Sequence, residues 1–275
     1  MDTVGIPLVL LRRAHLVARA PFVYTSIGLL DRISRIRGAG LRRVYRDAVA
    51  AAGAVIAYGH AEAGELRAWL DGCAAPPPVH FVPFGVDTGA VRPSGQMPEV
   101  DVVSVGADPH RDHDLLLRVA ARTPHVSYRL VAGGEERPVD VPANVRLDPE
   151  VPFSAALGAL EAARVVALPV VDNAYSGATT TLLQALALGK SVVVTRTRAI
   201  AEGYGLRDGE TCRLVAPGDP EALERAVVDL LADPERAAAL GRRGRAHVEE
   251  SLSWERYTSS IGAILRSVAG LQPTA

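Results

Sequence analysis

From Phe22 onward, short β-branched and alanine-rich runs alternate with Ala/Leu-rich stretches of helical period. This is the pattern of βα units feeding a parallel sheet, so the predicted fold class is α/β. The first part of the chain predicts strands at Phe22–Thr25, Ala54–Ala57 and His80–Pro83, with helices at Leu41–Ala52 and Ala61–Leu70. Turn formers in Arg92–Glu99 (RPSGQMPE) then interrupt the alternation and read as a linker. Beyond it the pattern predicts strands at Asp101–Val105, Ser127–Val131, Val145–Leu147, Arg164–Leu168, Ser191–Thr195 and Cys212–Val215. Helices are predicted at Asp114–Ala121, Phe153–Leu160 and Thr179–Ala187. Asp219 before Pro220 pairs an N-cap oxygen with proline at the first helical position, so helices fill Pro220–Ala232, Pro234–Glu250 and Trp254 to Val268.

Composition narrows the class. The 275 residues are 48% hydrophobic and 22% charged, which excludes a disordered or collagenous chain. The longest apolar run, Gly5–Leu11, stops at Arg12 and Arg13, well short of the ~20 residues that span a bilayer. With no basic segment before that run and no small-residue cleavage site after it, a signal peptide is not expected and the chain reads as cytoplasmic. Cys73 and Cys212 are too few for a disulfide framework and read as buried thiols. Net charge is −1, yet residues 1–50 carry nine Arg against three Asp, a local +6 that leaves −7 elsewhere. Within that basic end, Arg32–Arg46 interleaves arginines with Ile33, Ile36, Leu41, Val44 and Tyr45, with Gly38, Ala39 and Gly40 as an interruption. It reads either as a surface for an anionic membrane or as a solvated face in a chain where Lys190 is the only lysine. Nucleic-acid binding is not expected, because the chain is not basic overall and lacks an aromatic stacking motif.

Candidate chemistry concentrates in Ala167–Thr195, ALPVVDNAYSGATTTLLQALALGKSVVVT. A buried strand runs into a polar loop, Asp172–Gly177, and a helix opens at Thr179 or Thr180. Free N–H groups and the dipole of such a helix start attract phosphate, and Gly177 lets backbone approach a ligand closely. A plain strand–loop–helix with threonine capping fits the same residues. His110, Asp112, His113 and Asp114 cluster in one loop, but loop neighbours point in different directions and no distant ligand accompanies them, so no metal site is expected. His60, in AYGHAEAGEL, follows a strand and is either a cleft residue or a surface histidine at a helix start.

This stretch, with VPFGVDTGAVRP at Val82–Pro93, SVG at Ser104–Gly106, VAGG at Val131–Gly134, DGE at Asp208–Glu210, LVAPGDPEAL at Leu214–Leu223 and SWERY at Ser253–Tyr257, resembles the group 1, retaining glycosyltransferases. The resemblance covers residues 80–260 strongly and 20–80 more weakly. It implies a GT-B-like fold of two Rossmann-like domains with parallel sheets, and sugar transfer from a nucleotide-diphosphate sugar to an unidentified acceptor without a metal or other cofactor. It implies that Gln184 takes the place of the family glutamate that binds the nucleotide ribose, and Ser176 the place of the glutamate that faces the donor sugar. Asp172 and Asn173 lie in the same loop. Thr179, Thr180 and Thr181 match the positions that cradle the diphosphate, alongside Gly106, Gly133 and Gly177. Of the family's cationic pair after the first strand of this domain, Ala107 replaces one member and Arg111 stands for the other. Ile27 stands where the family often has a histidine near the acceptor. On these grounds Arg111, Ser176 and His60 are the expected catalytic residues.

The implied domains are a partial acceptor-side domain over 1–95, a donor-binding domain over 96–252 and a C-terminal helix over 253–275 that packs back toward the first. The first domain is expected to be incomplete at its N-terminal end. The departures at Ala107, Ser176 and Ile27 also leave room for a degenerate, non-catalytic member that binds nucleotide or a partner.

Overall fold

The computed structural model describes residues 2–13, 16, 20–133, 140–149, 151–175 and 177–271. Two parallel sheets organise the chain. In the first, β1 (Val23–Ser26), β2 (Ala54–Ala57) and β3 (Val79–Phe81) lie in the order β1-β2-β3, with Tyr24 opposite Val55 and Val55 opposite Val79. All four residues of β2 are buried, as a strand covered on both faces requires. Helices α1 (Asp2–Arg13), α2 (Leu29–Ser34), α3 (Ala39–Ala50) and α4 (His60–Leu70) accompany these strands.

The second sheet contains β4 (Val100–Val105), β5 (Tyr128–Val131), β6 (Val145–Asp148), β7 (Ala163–Leu168), β8 (Ser191–Thr195) and β9 (Arg213–Val215). Their order is β6-β5-β4-β7-β8-β9, and every pairing is parallel. The chain winds outward from β4 in one direction and from β7 in the other. Such a sheet leaves a crevice where the order reverses, outside the carboxyl ends of its two central strands. Two hydrophobic layers, one around Val166, Leu182 and Leu186 and the other around Val165, Leu116 and Leu223, cover its faces with α5 (His113–Arg122), α6 (Phe153–Glu161), α7 (Thr179–Ala187), α8 (Pro220–Ala232) and α9 (Pro234–Ser251). The last helix, α10 (Trp254–Val268), crosses to the first sheet, where Tyr257, Ile261 and Ile264 pack on Ile56, Tyr58 and Val82.

Local chemistry explains the helix boundaries. Asp112, Asp219, Asp233 and Ser253 each accept the N–H three residues on, and proline occupies the first position of α8 and α9. Gly189, at φ 67°, ends α7 in the left-handed conformation and turns the chain into β8. Lys190 follows it, half-buried with its pKa lowered by that burial, in agreement with a structural role.

The structure corrects several boundaries. The apolar run near the N-terminus lies in helix α1, where Ile6 and Val9, three apart on one face, pack on Ala48. Helix α2 follows Gly28, which at φ 67° turns the chain so abruptly that no run of periodic residues announces a helix of only six. Helix α3 begins at Ala39, so Ala39 and Gly40 are helical rather than an interruption, and the basic segment is divided between α2 and α3. Strand β3 ends at Phe81, before Pro83, which has no N–H to give the ladder. Cys212 is buried, with its thiol pushed up to about 12 by burial, whereas Cys73 is only partly buried. Among the described residues, no helix is long and apolar enough to cross a membrane.

Candidate active site between the domains

The crevice at the β4/β7 junction is built by two loops that bond to each other. The Asp112 N–H donates to the Pro169 carbonyl at 3.0 Å, and the Val171 N–H donates to the His110 carbonyl at 2.8 Å. Thr195, at the end of β8, accepts the Val170 N–H through its hydroxyl at 3.0 Å. Residues 106–112 and 169–175 are therefore held together over the carboxyl ends of β4, β7 and β8.

Arg111 lies beneath this surface, 6% exposed. One Nη2 N–H donates to the Val105 carbonyl, while Nε and Nη1 have no hydrogen-bond partner among the described residues. Burial lowers its pKa to about 10, partly offset by Asp108, so the guanidinium remains charged at neutral pH. Gly106 covers it so closely that a Cβ there would stand 2.7 Å from Nε. A buried cation with unused donors is unfavourable alone and is relieved by an anion.

Asp108 brings the opposite charge into the same loop. Its carboxylate accepts the His110 N–H at 2.8 Å and the Tyr175 hydroxyl at 3.0 Å, and it lies 2.7 Å from where a Cβ on Gly177 would be. The acidic group is thus beside the opening turn of α7. Tyr175 also meets His110 Nδ1 at 2.7 Å, and the opposite ring nitrogen of His110 is 3.8 Å from Asp31 in the first domain. Burial foremost, then Asp108, raises the Tyr175 pKa above the usual phenol range.

The first domain supplies the facing wall. Glu62, in the first turn of α4, reaches back to β1, where Oε1 accepts the Ser26 hydroxyl at 2.6 Å and the Gly28 N–H at 2.9 Å. Burial raises its pKa, and the hydroxyl of Ser26 and the backbone of Gly28 and Leu29 oppose that shift. The Glu62 N–H donates across the cleft to the Ala174 carbonyl at 3.2 Å. Arg198, in the loop after β8, bonds Glu65 at 2.7 Å and Asp172 at 3.0 Å. Tyr204 donates its hydroxyl to the Tyr58 carbonyl at 2.7 Å and accepts the Phe84 N–H at 3.1 Å. Between these contacts lies a cavity of about 240 Å³ that both domains line.

Asp172 and Asn173 line this cavity, the first paired with Arg198 and the second buried. Thr179, Thr180, Thr181 and Gln184 follow on α7; Thr179 is buried with its hydroxyl beside Tyr204, Thr180 is exposed, and Thr181 and Gln184 are intermediate. Gly106 and Gly133 follow β4 and β5 at the same end of the sheet. His60 is not brought to the cavity: half exposed, it pairs with Glu202 at 3.0 Å and meets the edge of Phe81. Ser176 and Gly134 lie outside the described residues. The sequence reading did not single out Asp31, Glu62, Asp108, His110, Tyr175 or Arg198 as cleft residues. Only Glu62, an acid in the first turn after a strand, carried a local signal, and that signal is shared with ordinary helix starts.

Comparison with known proteins places this geometry. Residues 99–233 match the family model described as glycosyl transferases group 1. Over those residues the chain is similar to the group 1 glycosyl transferases. Over 97% of its length the chain is 28% identical to the D-inositol 3-phosphate glycosyltransferase of Segniliparus rotundus, covering 62% of that protein. Over 70% of its length it is 26% identical to the MMP alpha-(1->4)-mannosyltransferase of Mycolicibacterium hassiacum, covering 49% of that protein. The chain thus spans less than two thirds of these curated relatives. Anabaena HepE, solved in complex with UDP-glucose, superposes with a TM-score of 0.77 over 95% of this chain and 77% of that one, at 19% identity. The two sheets and their helices share the GT-B-like arrangement of two Rossmann-like domains.

Proposed function

We propose that this chain transfers a sugar from a nucleotide-diphosphate sugar to an acceptor hydroxyl, with retention and without a bound metal. The observation that supports this reading is Arg111, a buried guanidinium at the carboxyl end of β4, next to the loop that opens α7, with two nitrogens that find no acceptor among the described residues. A departing diphosphate needs its developing charge neutralised, and preorganised donors in a site sheltered from water do this most effectively. Arg111 and the N–H groups of Thr179, Thr180 and Thr181 take that role. Gln184 holds the ribose through its carbonyl oxygen, a neutral acceptor weaker than the carboxylate it replaces. Gly133, Gly177 and Ser176 complete the donor side.

We place the chain in the cytoplasm, peripheral to an anionic membrane. Arg42, Arg43 and Arg46 line one open groove with Trp69, the basic surface that would meet such a membrane.

The test is a titration with UDP and GDP followed by heat-capacity calorimetry and a donor panel for turnover. Binding should raise Tm by several degrees, and Gln184→Ala and Arg111→Met should each weaken it by about ten-fold or more. No shift with either nucleotide sinks the donor site. A second reading, a nucleotide-binding member without chemistry, is favoured by the Asp108 carboxylate beside Gly177, which repels a diphosphate approaching α7. Tight binding with no turnover on any donor would establish it.

A further inference from the structure

His110 stands where the two domains meet, and its ring has more polar neighbours than a neutral imidazole can serve. Nδ1 is 2.7 Å from the Tyr175 hydroxyl, which is 3.0 Å from the Asp108 carboxylate, while Nε2 is 3.8 Å from the Asp31 carboxylate of the first domain. The ring is held in this place. Its backbone N–H donates to Asp108 at 2.8 Å, its carbonyl accepts the Val171 N–H at 2.8 Å, and the side chain is only 16% exposed against the edge of Tyr175.

A count of protons along this chain of contacts decides its chemistry. Carboxylates only accept, so Asp31 and Asp108 at the two ends both need a donor. The Tyr175 hydroxyl has one proton. Given to Asp108, it leaves the tyrosine oxygen to accept Nδ1–H, and a neutral imidazole then presents a bare Nε2 to Asp31. Given to Nδ1 instead, it frees Nε2–H for Asp31 but sets the tyrosine oxygen against Asp108 with no proton between them. Neutral histidine therefore leaves one contact unfavourable in either tautomer. The imidazolium donates from both nitrogens and satisfies all three contacts at once.

The charges nearby do not supply another donor to the ring's two carboxylates. Among the described residues, Glu62 and Glu65 on α4, Asp172 in the loop after β7 and Arg198 in the loop after β8 line the same cavity as His110 and Asp31. Arg35, just after α2, bonds the other oxygen of Asp31 at 2.9 Å, and Arg198 is shared between Glu65 and Asp172. Both arginines are thus already paired.

We propose that His110 is a proton-operated latch between the domains, whose imidazolium ties Asp31 on α2 to the loop that carries Arg111, and whose loss of the proton releases that tie. Closing then takes up a proton, so the closed arrangement is favoured as pH falls and weakened as pH rises through the range of about 5–8 where histidine changes charge. The latch does not depend on the transferase reading. His60 and Glu202, 3.0 Å apart, also cross the cleft, but with half or more of each side chain in water that pair contributes little.

Amide hydrogen exchange at Glu62 reads the opening of the cleft, because this N–H donates to the Ala174 carbonyl of the facing domain at 3.2 Å. Corrected for the intrinsic rate, its protection should be about ten-fold higher at about pH 5.5 than at about pH 8. Asp31→Asn and His110→Gln should each erase most of that difference, and His60→Gln should keep it. Asp31→Asn, on the more exposed side of the pair, carries the test if the His110 variant does not fold. Nitrogen-15 spectra of the histidine-labelled chain should show His110 as an imidazolium at the lower pH, with an Nε2 resonance that moves in Asp31→Asn. Equal protection at the two pH values or a His110 ring that stays neutral at about pH 5.5 overturns the proposal. So does a pH response that persists in Asp31→Asn, which would assign it to Glu62 or another group. No readout involves a nucleotide or a sugar, so the outcome is separate from that of the donor titration.

Discussion

Glu62 shows how one residue links the fold to the cleft. It gives one oxygen to Ser26 and Gly28, which fixes the turn between β1 and α2, and the residue also lines the cavity between the domains. Because burial raises its folded pKa above that of the unfolded chain, folding takes up a proton. The stability it contributes is therefore complete below the unfolded carboxyl pKa and is lost as pH rises through the folded value. Glu62→Gln keeps an acceptor for Ser26 and Gly28 but cannot ionise. Relative to the wild type, this variant should be more stable at about pH 8 than at about pH 5, with all other titrations common to both proteins. Urea unfolding at the two pH values checks the sign; a gap that does not change with pH would show that Glu62 titrates normally. Sequence did not single out this residue because its partners are 34 and 36 positions away. A lone acid early in a helix reads as a response to the helix dipole, and only the tertiary fold makes it a wall of the cleft.

At the scale of elements, legibility followed local determinism. Helix α7, strand β8 and helix α8 form over the predicted residues, because burial on both faces of β8 and the Asp219–Pro220 start leave few alternatives. Helices α1 and α2 escaped because one looks like a short apolar run and the other is a single short segment after a left-handed glycine. The loops at the β4/β7 crevice were legible as loops and as a resemblance to a family pattern. Their mutual bonding, and the Asp108–Tyr175–His110 contacts that cross between them, were not. Helix α5 matters most here, since it follows directly after Arg111. Its N-cap Asp112 accepts the Leu115 N–H at 2.9 Å while its own N–H holds Pro169. Asp112→Ala removes the cap and should cost about 1 kcal/mol, a fall in Tm of roughly 2–4 °C for a chain of this size. Nucleotide affinity should fall beyond what that loss of stability explains, because the Arg111 loop loses its anchor. Calorimetry and titration on one preparation separate the two effects.

Across the whole molecule, the cleft is held shut by contacts that no single domain contains. Backbone packs closely on backbone beside Gly59: a Cβ there would lie 2.2 Å from the Ala174 carbonyl oxygen, a distance that real structures do not tolerate. The φ of Gly59 is −111°, so its conformation suits any residue and the constraint is purely the approach of the loop after β7. Gly59→Ala must therefore push the domains apart or displace that loop, along with the Glu62–Ala174 bond beside it. The expected result is a larger radius of gyration in solution scattering, a lower Tm from the lost interdomain contacts and little change in nucleotide binding by the second domain. Gly64→Ala provides the control, since it lies on the same helix with nothing within 4 Å of the added carbon. That change should stabilise the chain by up to about 1 kcal/mol through lower backbone entropy in the unfolded state. If Gly59→Ala matched Gly64→Ala in scattering and stability, the closed arrangement would not be the one populated in solution, and a cavity built from both walls would lose its basis.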